Sequence, residues 1–119
     1  MPSVGDVLTA RGLDYPAALA RFSDNEELLH SFLMEFPGES YLQNAQDALE
    51  QGDMAAYQTA VHVVKGTAGS LGMTALYGVS AAMMTALRTG NTEEAKALHP
   101  RMTAEYQNAR QAILDAFSQ

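Results

Sequence analysis

His62 and Lys65 are the residues of this chain best placed to do chemistry. In Ala60-Val61-His62-Val63-Val64-Lys65-Gly66-Thr67-Ala68-Gly69-Ser70-Leu71-Gly72 the lysine follows the histidine at i+3, and glycines follow at i+4, i+7 and i+10. Neutral imidazole is a nucleophile near pH 7, because an ordinary ring pKa of about 6.5 leaves much of it deprotonated. An ammonium one turn away can hydrogen-bond a phosphoryl group carried on the ring. A glycine inside a helix costs about 1 kcal/mol relative to alanine, so three in one helical stretch require a reason. Bare backbone beside the two side chains would give a phosphoryl donor a place to dock. A surface histidine beside a surface lysine, with glycines serving close helix packing, would account for the same residues.

The helical wheel separates the two sets. Across residues 54–71, Tyr57, Ala60, Val61, Val64, Ala68 and Leu71 fall on one side, the expected core face. Gln58, His62, Lys65, Gly66 and Gly69 fall well away from it, with Ala55 and Thr59 nearby. The imidazole should therefore project from a flat patch of small residues. Lys65 is the only cation between Phe22 and Leu87, a stretch holding eight carboxylates.

Punctuation along the chain places that helix among others. Val4 to Ala10 reads as a short helix ending at Arg11-Gly12, and a second follows around Tyr15 to Phe22 with Pro16 in its first turn. Ser23 or Asp24 is expected to cap a long helix with Leu28, Leu29, Phe32, Leu33 and Phe36 as its apolar stripe. Pro37-Gly38 interrupts it, and Tyr41, Leu42, Ala45, Ala48 and Leu49 resume the period. Gly52-Asp53 is a stop followed by a cap, Gly72 turns the chain after the histidine helix, and Gly90-Asn91 is a second stop and cap. The last helix carries Leu98, Met102, Tyr106, Ala109, Ile113 and Phe117, with Pro100 inside it. The expected fold is all-α: an antiparallel up-down-up-down four-helix bundle with a short N-terminal helical segment packed on it. Residues 1–119 form one domain, with the short helices in 1–23 and the bundle in 24–119.

Composition narrows the partners. A net charge of −7 opposes a nucleic-acid or anionic-membrane partner, whose phosphates are bound by clustered Lys and Arg. The absence of cysteine excludes disulfides and thiolate metal sites and fits a reducing cytoplasm. The N-terminal residues lack the basic and apolar regions of a secretory signal. The uncharged run from Gly66 to Leu87 is long enough to span a bilayer, but its glycines, serines and threonines suit a buried hairpin better. Glu27-Leu28-Leu29-His30 has the Glu-x-x-His spacing of carboxylate-bridged metal bundles but no second copy, so a surface pair is expected and no metal site. His99 reads as a solvated helix residue, and Met83-Met84 as core filler.

The segment His62-x-x-Lys65-Gly66 followed by Ala68-Gly69-Ser70-Leu71-Gly72 resembles the signature of histidine-containing phosphotransfer (HPt) domains. Leu19-Ala20-Arg21-Phe22 with Glu27-Leu28-Leu29, Leu49-Glu50-Gln51-Gly52-Asp53 and Leu87-Arg88-Thr89-Gly90-Asn91 extend the resemblance over nearly the whole chain. It implies a phosphoryl carrier in a multistep two-component phosphorelay, with His62 as phosphoacceptor and Lys65 steadying the phosphoryl oxygens. Gln58, Gly66, Gly69 and Ser70 would face the partner. The partners implied are receiver domains of response regulators and a hybrid sensor histidine kinase. No intrinsic cofactor is expected, Mg²⁺ belonging to the receiver, and the chain is too short to hold an ATP-binding kinase domain of its own. A monomer in the cytoplasm is expected. With the hairpin turning at Gly72-Met73, His62 faces Met84, where the family often has a Glu or Gln to orient the ring; a thioether is a poor acceptor. That departure favours one alternative, an HPt-like adaptor that binds without transfer; a further alternative is the phosphorylated domain of a chemotaxis-type kinase.

Overall fold

The structure, a computed structural model, describes residues 1–118, so Gln119, the last residue of the expected bundle, lies outside it. Seven α-helices follow one another among the described residues, with no strand. They are α1 (Val4–Ala10), α2 (Tyr15–Arg21), α3 (Glu26–Glu35), α4 (Tyr41–Glu50), α5 (Met54–Ser70), α6 (Thr74–Arg88) and α7 (Thr92–Phe117). None is long and apolar enough to cross a membrane.

Side-chain caps start α5 and α7. The Asp53 carboxylate accepts the Ala56 N–H at 3.1 Å, and the Asn91 amide oxygen accepts the Glu94 N–H at 3.2 Å. Each cap follows a glycine in the left-handed region, where a side chain would be strained. The cap of α3 differs from the sequence expectation. It is Asn25, which accepts the Leu28 N–H at 3.0 Å. Ser23 and Asp24 instead take positive φ and close the end of α2, with the Asp24 N–H donating to the Leu19 carbonyl at 2.9 Å. Short polar residues tolerate that backbone region, so the same chemistry that suits a cap here makes the preceding turn.

Between α3 and α4, Phe36–Gly38 forms a single 3₁₀ turn. Phe36 stacks at 4.8 Å on Tyr106 of α7, and Arg110 Nε donates to the Pro37 carbonyl at 3.1 Å. The break is thus sealed against α7. Helix α5 packs between α4 and α6, and α6 packs on α7. Tyr57, Val61, Val64 and Ala68 of α5 are buried against Leu76, Met83 and Met84 of α6 and Met102 and Ile113 of α7, among others, in one core. Pro100 lies on the exposed side of α7, where water can satisfy the carbonyl that its missing N–H leaves unpaired.

Two tyrosine–histidine pairs tie helices together, and both correct the sequence reading. His99 is partly buried, its Nδ1 hydrogen-bonded to the Tyr57 hydroxyl at 2.7 Å. Burial pushes the His99 imidazole pKa down and that of the Tyr57 phenol up to about 12. His30 is also partly buried, with Nε2 at 2.7 Å from the Tyr15 hydroxyl and its ring edge-on to Phe117. Its nearest carboxylate is Glu26 at 3.6 Å, rather than Glu27. In each case a partly buried imidazole finds its hydrogen-bond partner in a phenol from another helix.

The N-terminal helices are fastened at one point. The Asp14 N–H donates to the Gly72 carbonyl at 2.7 Å, joining the α1–α2 connection to the α5–α6 turn. Gly72 has φ +73°, and a Cβ there would collide with the Asp14 carbonyl oxygen. Gly72→Ala is therefore expected to destabilise the protein by at least about 2 kcal/mol, from left-handed strain plus the clash. Urea unfolding measures this, and an unchanged midpoint would show that the turn is not under constraint.

His99 gives a pH prediction. A histidine whose folded pKa lies below its unfolded value binds a proton more readily when unfolded, so stability is full above about pH 6.5 and falls as pH drops below it. The loss of melting temperature from about pH 7.5 to about pH 5.5 should be smaller in His99→Gln than in the wild type. Equal losses in the two proteins would contradict the assignment.

Candidate functional site

His62 sits in the middle of α5 with its side chain exposed, because the wheel position that follows Val61 and precedes Val64 points away from the core. Three surface hollows meet at this residue. The first, about 650 Å³, is lined by Lys65, Gly66, Gly69, Ser70 and Tyr77 and, from the N-terminal helices, by Asp14 and Arg21. The second, about 580 Å³, has an apolar wall of Phe22, Phe32 and Val63, with Glu35, Glu39 and Tyr41 beside it. The third, about 460 Å³, holds Gln58, Thr59, Met84 and Arg88. Among the described residues no hydrogen bond is made to the imidazole, so the ring is free to meet a ligand.

The expected site residues are thus divided. His62, Lys65, Gly66, Gly69 and Ser70 share one hollow, whereas Gln58 and Met84 lie with His62 in another. Met84 is only 3% exposed, its side chain packed into the core beneath the third hollow. A carboxylate at that position would start from a largely dry environment that disfavours its charged form. The Lys65 ammonium lies 6.0 Å from the centroid of the Tyr77 ring, at the outer range of a cation–π contact.

Charge is distributed unevenly. Of the seven Lys and Arg residues, Arg11 pairs with Asp115 at 2.7 Å, Lys96 lies 3.6 Å from Glu93, and Arg110 donates to the Pro37 carbonyl. Arg21, Lys65, Arg88 and Arg101 have no carboxylate or hydrogen-bond partner among the described residues. Three of these four line hollows that contain His62. In a chain with twice as many carboxylates as cations, that concentration marks the surface that would receive an anionic group.

The three glycines have three different surroundings. A Cβ on Gly66 would meet nothing within 4 Å, one on Gly69 would press on the Tyr77 ring at 3.1 Å, and one on Gly72 would strike backbone. Gly72 shapes the turn, Gly69 seats Tyr77, and a side chain at Gly66 would have no packing partner among the described residues.

Sequence reasoning missed Arg21, Arg88, Tyr77 and the apolar wall. Of the apolar stripe of α3, only Leu29 and Leu33, with Phe36 just beyond the helix, are buried, while Leu28 and Phe32 are exposed. Phe32 is 46% exposed and stacks at 5.5 Å on Phe22, beside Val63 at 39%. The signal was present: five apolar residues spread over a wider arc than one core face needs. Arg21 and Arg88 gave none, because their nearness to His62 comes from tertiary packing.

Comparison with family models matches residues 27–112 to the Hpt domain. Comparisons with curated proteins and with solved structures give no significant match.

Gly66→Ala is expected to leave the fold intact and to raise stability by up to about 1 kcal/mol, since the new methyl meets open space and alanine favours a helix. A thermal melt decides it; a clear fall in stability would mean that Gly66 is kept for internal packing after all.

Proposed function

The chain belongs to the Hpt domain family, and we propose that it relays a phosphoryl group between receiver-domain aspartates through His62. The observation that carries this reading is an exposed imidazole standing where three hollows meet, which, like the cations flanking it, has no partner among the described residues. Hpt domains take part in histidine phosphotransfer within phosphorelays. Helices α3 and α4 act as one interrupted helix that, with α5, α6 and α7, makes an antiparallel up-down-up-down bundle bearing α1 and α2. Short connections between successive packed helices support that arrangement.

The chemistry follows from the ring. A nitrogen lone pair of neutral His62 attacks the phosphorus of a receiver's aspartyl phosphate; the N–P bond forms while the P–O bond to the aspartate breaks. The aspartate leaves as a carboxylate, and the second ring nitrogen holds its share of the positive charge or releases a proton to solvent. Attack by a second receiver's carboxylate reverses the step. Lys65 offsets the phosphoryl charge, Gly66 leaves open space for the receiver's backbone, Gly69 with Tyr77 seated on it forms the adjoining surface, and Gln58 and Ser70 contact the receiver at the edges. Mg²⁺ for the transfer sits among the receiver's own carboxylates. The protein carries phosphate without kinase activity of its own, works as a monomer, and meets receivers and a hybrid sensor histidine kinase in the cytoplasm.

His62→Gln should drop labelling by a phosphorylated receiver to background while the helical circular dichroism stays unchanged. Label on the wild type should be acid-labile and base-stable. Retained label on the variant would remove His62 from this role. A wild type that binds receivers but takes no phosphate would favour the adaptor reading, for which Met84 in place of a ring-orienting acceptor is the supporting feature.

A further inference from the structure

We infer that Arg21, delivered by α2, is a second ligand of the phosphoryl group on His62 and works with Lys65 as a two-cation clamp. This rests on the reading of His62 as phosphoacceptor and adds a residue from a different part of the chain. Arg21 lines the same 650 Å³ hollow as His62 and Lys65 but belongs to a different helix. Its guanidinium has no carboxylate partner among the described residues. The only carboxylate lining that hollow is Asp14, which is occupied in accepting the Ala17 N–H at 3.1 Å. An unpaired guanidinium beside an unpaired ammonium, in a chain of net charge −7, leaves one small region with a local excess of positive charge.

The two cations suit different tasks. Lys65 approaches along its own helix as a point charge, and its stem lies toward Tyr77. A guanidinium presents a planar fork that matches two phosphoryl oxygens at once. Position is secured by the packing of α2. Helix α2 packs on α5, and the hydrogen bond from the Asp14 N–H to the Gly72 carbonyl fixes its start to the end of the histidine helix. Arg88 lines a separate hollow with Gln58 and Met84, so it does not share Lys65's approach. The bland role for Arg21 is to offset the C-terminal dipole of α2, worth a few tenths of a kcal/mol at an exposed position.

Phosphoramidate tests the clamp without any receiver: its P–N bond breaks, its nitrogen leaves as ammonia, and its phosphoryl group passes to His62 as the new N–P bond forms. Arg21→Gln should label more slowly and lose its phosphohistidine about three- to tenfold faster than the wild type, the low end of what hydrogen bonding contributes because solvent screens this exposed group. Arg21→Lys should fall between the two, and all three proteins should melt within about 2 °C of one another, as the dipole role allows. Wild-type labelling rate and phosphohistidine lifetime in Arg21→Gln would overturn the clamp. So would a defect confined to transfer from a receiver, which would place Arg21 in docking. Label persisting on His62→Gln would instead overturn the phosphoacceptor assignment itself.

Discussion

One backbone contact sets the geometry around the histidine. Where α5 turns into α6, Gly72 holds a left-handed φ and lies so close to Asp14 that only a hydrogen fits, while its carbonyl takes the Asp14 N–H. A turn this tight fixes which residues of α5 and α6 oppose each other, which is how His62, Met84 and Arg88 come to share a hollow. The same bond fastens the start of α2, so that Arg21 and Phe22 at its other end stand beside His62. The N-terminal helices are thereby part of the site's walls. A side chain at residue 72 would disturb both arrangements together.

The surface around the ring is polarised. On one side lie Lys65, Arg21 and the phenol of Tyr77; on the other lie Phe22, Phe32 and Val63, edged by Glu35 and Glu39. Exposed charges are screened over about 10 Å in 0.1 M salt, so a phosphoryl group at His62 feels the hollow it occupies more than the chain's total of −7. Net charge argues against a polyanionic partner such as nucleic acid, yet it does not oppose a single phosphoryl group at this position. The acidic and cationic flanks give an incoming surface one electrostatically preferred orientation.

Much of this was legible in the sequence because it depends on local rules. Helix period placed His62 outside the core, Gly52-Asp53 and Gly90-Asn91 ended and restarted helices, and Met83 and Met84 fell in the core. The errors arose where a residue type serves two local purposes or where tertiary contacts decide. Ser23, Asp24 and Asn25 are all good caps, and only the backbone path shows that the first two form the turn. His99 and His30 looked like surface residues because their phenol partners, Tyr57 and Tyr15, lie on other helices. The three glycines looked like one motif, and they answer to three separate constraints.

A carrier that accepts from one receiver and donates to another must bind both with one surface, which limits how specific that surface can be. Apolar contact is non-directional and tolerates differences between partners, whereas hydrogen bonds and ion pairs demand matched geometry. The division found here meets both needs. In the proposed relay, the apolar wall of Phe22, Phe32 and Val63 would seat related receiver surfaces without close matching, while Lys65 and Arg21 would address the transferred group, the same in every encounter. Rigidity supports this: α5 is held by core packing on both sides and by the Tyr57–His99 bond to α7, so the ring is presented on a fixed helix rather than on a loop. Directional groups therefore belong where the chemistry never varies, and non-directional ones where the partner does.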